Sequence, residues 1–351
     1  MRQKFEKQYL SLMSEILNEG KYRSKELERT GTGTKGVFGR SYICENVGEN
    51  FPLLTTKDMS KSFNIIVKEL LWKLSGSTNV ADLEKQGIGI WTKDACRNYT
   101  DKNRTDLVKN SPKWNEFLKK EFRPQLLSDE LFAKEWGDLG PTYGHNFRRH
   151  GRMTLRDVDQ SFLNFLVSKL PNSNSLFDNW DTVVREGIDQ LFNVINTIKS
   201  DPGNRRIIID LWDPSRTKDM VLPPCPDFYQ FAILDDKLHL VMYQRSADYL
   251  LGVPFNTAQE SLLLMIVANI TGYEPGNFIH MFGDMHLYNS KDHIDGATTQ
   301  ISRKPYKSPK VIIKRQFKVN DIMLDNFNIT SDDFELKGYK YHDRISADMK
   351  T

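Results

Sequence analysis

The chain is 351 residues long, with 39% hydrophobic and 11% aromatic residues, enough for a substantial core in one large α/β domain or in two smaller ones. A formal net charge of +3 argues against bulk nucleic-acid binding and leaves any anion site to local arginines. Three cysteines, Cys44, Cys96 and Cys225, show no CxxC and no Cys/His ligand spacing, which argues against a disulfide framework and a bound metal and for a reducing, cytoplasmic setting.

The first element predicted is an amphipathic helix over about 4–19, with Tyr9, Leu10, Met13, Ile16 and Leu17 at helical spacing and no signal-peptide core. A glycine-rich turn, ERTGTGT, then feeds a strand through GVFGRSYIC. Residues 62–75 read as a buried helix closed by Gly76. Two stretches read as insertions: 92–134, rich in Lys, Asn and Asp, as short surface helices, and 150–183, with KLPNSNSLFDNWD, as loop. A helix over about 184–200 precedes RRIIIDLW, a β-branched run expected to be a buried strand. FYQFAIL and KLHLVMYQ flank Asp235-Asp236 as a hairpin, 257–271 is a long apolar helix, and KVIIKRQ at 310–316 is a late strand. The longest apolar run, 261–270, is too short for a bilayer. The element order is α+β, with antiparallel pairings and no regular βαβ alternation.

Chemistry concentrates after residue 220. Cys44 and Cys96 read as small buried hydrophobes, but Cys225 follows Pro223 and Pro224, which lack donors and hold the thiol at a strand entrance. A reactive thiol needs such fixed exposure and a neighbouring cation, which Arg205, Arg206 or Arg245 can supply. Arginine is also the natural grip for a phosphate dianion, and Arg29 lies among glycines that allow close approach to a ligand. Glu69 falls on an apolar helix face, where a carboxylate is costly without a hydrogen-bonding or proton-handling role.

VLPPCPDFYQFAI followed by YQRSADYLLGVPFN, together with KELLWKLSGSTN, GIGIW, GDLGPTYG and GDMHLY, resembles the thymidylate synthases and the related deoxynucleotide hydroxymethyltransferases. The match covers residues 8–351 apart from the two insertions and a two-residue lengthening after TTK at 55–57. The resemblance implies a single catalytic domain with a thymidylate synthase-like α+β fold: a mixed β-sheet packed with helices, one sheet face forming a homodimer interface. It implies dUMP and 5,10-methylenetetrahydrofolate as substrates, with no membrane or nucleic-acid partner.

By the same resemblance Cys225 adds to the pyrimidine, and Glu69 moves protons through ordered water. Trp91 packs near the transferred carbon, and Tyr143 lies near the thiol. The phosphate falls to Arg29, Arg245 and Ser246, with Arg205 and Arg206 donated by the other subunit. Gln244 and Asn256 bind the base, His286 and Tyr288 the sugar hydroxyl, and Asp248 and Gly252 the folate. Asn256, where cytosine-using relatives carry aspartate, points to uracil.

Several positions depart from the synthase pattern. Pro226 replaces a histidine after the cysteine, and Ile90-Trp91-Thr92-Lys93-Asp94 loses a second tryptophan. YGxQWR becomes Tyr143-Gly144-His145-Asn146-Phe147-Arg148, Gln259-Glu260 replace a Ser-Tyr pair, and the tail ends SADMKT. Polar groups near the folate and lid would admit water to the thiol-bound methylene. The expectation is therefore a dUMP 5-hydroxymethyltransferase of phage origin, acting in the host cytoplasm, with thymidylate synthase as the alternative. A catalytically inactive nucleotide- or RNA-binding relative is a third reading, opposed by the intact cysteine, glutamate and arginines and by the near-neutral charge.

Overall fold

The computed structural model describes residues 4–28, 31–155, 158, 161, 165 and 183–350. Its first helix, α1 (Lys4–Glu19), buries Tyr9, Met13 and Ile16 of the expected stripe together with Phe5, while Leu10 and Leu17 are half-buried. The chain then enters a six-stranded sheet in the order β1 (Lys21–Arg23), β2 (Thr34–Cys44), β8 (Glu274–Tyr288), β7 (Lys237–Asp248), β6 (Pro226–Leu234), β5 (Ile208–Asp210). Every neighbour pair is antiparallel except β7 and β8, which are parallel. A parallel pair requires a crossover, and the long apolar helix supplies it between these two strands. The expected lack of regular βαβ alternation thus contains one such unit.

The hairpin around Asp235-Asp236 forms as expected. Both aspartates have positive φ, 51° and 58°, the backbone that lets a two-residue turn follow the twist of β6 and β7. Pro226 opens β6 beside a register irregularity, one of the few sheet positions where a missing N–H costs no ladder bond. The run RRIIIDLW contributes only Ile208–Asp210 to the sheet, although Ile207 and Leu211 are buried beside it. KVIIKRQ likewise supplies β9 (Lys310–Ile313) for four residues, paired with β10 (Phe334–Lys337).

Helix α2 (Ser60–Leu74) ends at Gly76, whose φ of +81° is the left-handed exit that glycine accommodates without strain. Beyond it comes α3 (Ala81–Glu84), and the stretch 92–134, expected as an insertion of short surface helices, folds as α4 (Thr92–Asn103), α5 (Pro112–Phe117), a π-helical turn at Leu118–Phe122, α6 (Arg123–Ser128) and the start of α7 (Glu130–Trp136). These are not merely surface helices. Trp114, Phe122, Leu126 and Cys96 form a second apolar core that closes on Trp72 of α2. The sequence hid this because lysines and asparagines on the outer faces dominate its composition.

Helix α8 (Gly144–Arg149) leads to the short pair β3 (Met153–Thr154) and β4 (Val183–Arg185). Most of the second insertion, 150–183, lies outside the described residues. The helix expected from 184 begins instead at Gln190, as α9 (Gln190–Ser200), because the Asp189 side chain accepts from Phe192 N and caps it there. Helix α10 (Gly252–Thr271) is buried nearly all round, and α11 (Lys291–Ile301) follows β8. Among the described residues, no helix is long and apolar enough to cross a membrane.

Candidate active site

Cys225 sits half-buried at the mouth of β6. Its backbone is pinned from two sides: its N–H donates to the Tyr143 hydroxyl at 3.2 Å, and its carbonyl accepts from Arg245 N at 2.9 Å. The Arg245 guanidinium reaches over the cysteine. Nε donates to Pro224 O at 2.7 Å, and Nη2 donates to Pro223 O at 2.9 Å and stands 3.8 Å from Cys225 Sγ. The two prolines therefore do more than stiffen the chain. Their carbonyls hold the cation against the thiol, the electrostatics a thiolate needs. Cys44 and Cys96, in contrast, have thiols pushed up by burial, the latter to about 12.

Tyr143 is held in an unusual backbone, φ 29° and ψ −92°, at the start of α8, a conformation that persists only where surrounding contacts enforce it. Its ring packs 5.5 Å from that of Trp91 and under Lys73 Nζ at 4.5 Å. Trp91 Nε1 donates to Glu69 Oε1 at 3.0 Å, joining the cysteine neighbourhood to the buried carboxylate on α2. Glu69 is further held by Lys73 Nζ at 3.1 Å and by Gln259 Nε2 at 3.0 Å, while Lys73 Nζ also donates to Gln259 Oε1 at 2.7 Å. Glu69, Lys73 and Gln259 thus close a buried hydrogen-bonded ring.

Glu260 lies beside this ring, 2% exposed, and burial pushes its carboxyl up to about 7 against the pull of Lys73 and the Tyr229 hydroxyl. Asp227, two residues after the cysteine, is likewise held up at about 7 by burial, with Arg245 Nε 3.8 Å away opposing the rise.

On the facing strands, Gln244 Nε2 donates to Ser246 O at 2.8 Å and to Asn256 Oδ1 at 3.2 Å. His286 Nδ1 lies 3.1 Å from Asp284 Oδ1, with Tyr288 edge-on to its ring. Asp248 Oδ1 accepts from the N–H groups of Leu250 and Leu251, ahead of Gly252 at the start of α10. Gly252 has only ordinary contacts where a Cβ would project, so its packing does not demand glycine.

Arg205 and Arg206 are exposed ahead of β5, and no described hydrogen bond ties their side chains to the Cys225 cluster. Arg29 lies outside the described residues. Lys73, Tyr229, Asp227 and His280 were absent from the sequence reading. Lys73 alone left a signal, four residues after Glu69 on one helix face.

A thiol under an arginine, a buried glutamate on an indole and an amide pair from β7 and α10 form a site suited to covalent chemistry. The thymidylate synthase family model matches residues 7–351, and the chain belongs to that family. It is 38% identical over 342 residues to a protein named thymidylate synthase from Mycoplasma mobile, covering 97% of this chain and 98% of that one. It is 38% identical to one of the same name from Phytoplasma mali, covering 91% and 95%, and 37% identical to one from Mycoplasma genitalium, covering 96% of each.

These relatives overturn the expectation of a hydroxymethyltransferase of phage origin and favour the alternative, a thymidylate synthase. The misread polar positions have a structural account. In the tail, Asp348 N donates to Asp292 Oδ2 at 2.8 Å, Lys350 pairs with the same carboxylate at 3.5 Å, and Asp348 O lies 2.9 Å from His293 Nε2. Backbone groups of Asp348 and the side chain of Lys350 thus anchor the tail to α11, while the Asp348 carboxylate stays exposed.

Proposed function

We propose that this chain is a thymidylate synthase, converting dUMP to dTMP with 5,10-methylenetetrahydrofolate as one-carbon donor and reductant. The observation that carries the proposal is the half-buried Cys225 thiol held 3.8 Å from Arg245 Nη2, in a chain alike over nearly its whole length to proteins of that name. In this reading the thiolate adds to C6 of the uracil, which makes C5 nucleophilic toward the carbon that the folate carries. C5 then gives up its proton and the carbon–nitrogen bond to the folate breaks, leaving a C5 methylene. Hydride from the released tetrahydrofolate turns it into methyl as the thiolate leaves C6, and dihydrofolate is the co-product.

The residues around the thiol have distinct parts in this proposal. Arg245 stabilises the thiolate and, with Ser246, Arg29 and the partner-donated Arg205 and Arg206, neutralises the 5′-phosphate. Glu69, fixed by Trp91 and Gln259, handles protons through water at the base. Gln244 and Asn256 read the uracil edge, His286 and Tyr288 hold the sugar hydroxyl, and Asp248 and Gly252 meet the folate. Tyr143 and Trp91 form the wall beside the reacting carbon. The chain acts as one catalytic domain, with the insertions at about 92–134 and 150–183 carried on it.

A homodimer through the outer sheet face belongs to the same proposal. Phe228, Tyr243 and Met281 are register partners across β6, β7 and β8, and all three are exposed, an apolar row that a second subunit would cover.

The deciding experiment is a mass spectrum of the nucleotide after incubation with dUMP and methylenetetrahydrofolate. The expected product has gained CH2, with stoichiometric dihydrofolate, and Cys225→Ser protein gives none. Turnover without dihydrofolate refutes the assignment.

A further inference from the structure

We infer that His280 fixes which way the Asn256 amide faces, acting through Gln244, and so sets the choice between uracil and cytosine as a positioning residue. The inference rests on the thymidylate synthase reading of the site. His280 lies in β8, fully buried, and makes no contact that would let it touch a nucleotide itself. Its neighbours form a continuous chain of hydrogen bonds: Thr257 Oγ1 is 3.1 Å and Tyr42 OH 3.4 Å from Nδ1, and Nε2 is 2.8 Å from Gln244 Oε1.

The donor directions follow from one group that can only accept. Ser246 O, a backbone carbonyl, is 2.8 Å from Gln244 Nε2, so the Gln244 NH2 points to it. Gln244 Oε1 therefore faces His280, and Nε2 of the imidazole must carry the proton. Nδ1 is then an acceptor; Thr257 Oγ1 donates to Val253 O at 2.8 Å, which leaves the Tyr42 hydroxyl as the donor within reach of it. Burial pushes the imidazole well below its ordinary range, consistent with a neutral ring that has one donor and one acceptor. The second hydrogen of Gln244 Nε2 goes to Asn256 Oδ1 at 3.2 Å.

Asn256 is half-buried, and its Nδ2 donates to no group among the described residues. The amide thus offers a free NH2 donor, and an oxygen with one lone pair still open. That pair matches a pyrimidine edge with an acceptor at C4 and a donor at N3, as in uracil. Cytosine presents the reverse, a donor at C4 and an acceptor at N3, and would need the amide turned over. Turning it would set Asn256 Nδ2 against Gln244 Nε2, donor against donor. Gln244 cannot turn with it, because Ser246 O accepts on one side and His280 Nε2 donates on the other. A site that leaves buried polar groups mismatched rejects the wrong ligand far more strongly than an apolar one does.

The test compares dissociation constants for dUMP and dCMP, by equilibrium titration, in the full-length wild type, His280→Phe and His280→Gln. His280→Phe should reduce the preference for dUMP about tenfold, the scale of one hydrogen bond in a buried relay. His280→Gln keeps a donor at the same reach and should hold the preference within about threefold of wild type. If His280→Phe weakens both nucleotides equally, the residue is only structural and the inference fails. A wild type that does not prefer dUMP fails the functional reading instead, whatever the variants do. Nitrogen-15 spectra of the wild-type histidines decide the matter even if a variant does not fold. The His280 ring should be the neutral Nε2–H tautomer, and an Nδ1–H or doubly protonated ring overturns the inference.

Discussion

Glu260→Gln isolates what a buried, raised carboxyl does to this protein. In the folded state Glu260 titrates at about 7, raised first by burial, whereas its ordinary value is 4.5. Between those values the folded protein holds a proton that the unfolded chain has released. Stability conferred by the protonated form is therefore present below about 4.5, falls as pH rises through the window, and is fully lost above about 7. The gap corresponds to about 3 kcal/mol. Glutamine does not titrate, so the variant should gain roughly that much relative to wild type between pH 5 and pH 8.

A second effect opposes the gain but is independent of pH. Glu260 Oε2 has no hydrogen-bond partner among the described residues, so the glutamine NH2 would be buried without an acceptor, at a cost of about 1–3 kcal/mol. Only the slope tests the argument. Asp227 titrates in the same range, but both proteins carry it and its contribution cancels. The assay is urea unfolding followed by circular dichroism at pH 5, 6, 7 and 8. Protein concentration is held fixed because the proposed homodimer would make midpoints concentration-dependent. A stability difference that stays flat across this range refutes the burial argument.

Two further substitutions probe the surroundings of the site. Lys73→Met removes the cation between Glu69 and Glu260 and should destabilise by about 3–5 kcal/mol, the cost of a buried charge left uncompensated. A loss below about 1 kcal/mol in the same urea assay would show that the two carboxyls do not depend on it. Asp292→Ala removes the carboxylate that holds both Asp348 N and Lys350, and should release the tail. Steady-state kinetics should then show a several-fold higher KM for the folate with dUMP affinity unchanged. Equal weakening of both substrates would mean that the tail does not act as a lid.

The fold was legible where periodicity and burial coincide. Residues 4–19, 62–75 and 257–271 carry apolar stripes or blocks long enough to settle their own structure, and each is a helix at nearly those bounds. The hairpin at Asp235-Asp236 was legible because its two flanking runs alternate. Strand β8, the centre of the sheet, was not, since its glycines and histidines break any alternation and its pairing with β2 and β7 is non-local. The second core in 92–134 was missed for a related reason, its aromatics being scattered among charged residues.

In the site, Cys225, Glu69, Trp91 and Tyr143 could be named from motifs, and contacts with a few intermediates connect them. Lys73 was legible only in part, through its spacing from Glu69, and His280 not at all. The lysine's second partner lies 186 residues away in sequence, and the histidine acquires meaning only from a partner 36 residues away.

The misjudged chemistry has one physical root. Polar residues in a site wall were read as an invitation to water, yet a side chain attracts water only through donors and acceptors left over after its protein contacts. Gln259 uses its oxygen on Lys73 and its nitrogen on Glu69. Thr92 bonds to Glu84, and Asp94 lies 3.4 Å from Arg97. In the tail Lys350 pairs with Asp292, while Asp348 reaches Asp292 and His293 only through its backbone. Gln259, Thr92 and Asp94 are thus matched inside the protein, so the wall they build is polar in composition and yet offers water little to bind. Glu260 is the exception, with one oxygen unpartnered. A proton on that carboxyl removes the charge that water would otherwise be drawn in to solvate. On the thymidylate synthase reading, a site that delivers hydride to a methylene rather than surrendering it to water can therefore be lined with glutamine, lysine and glutamate, provided that they answer one another.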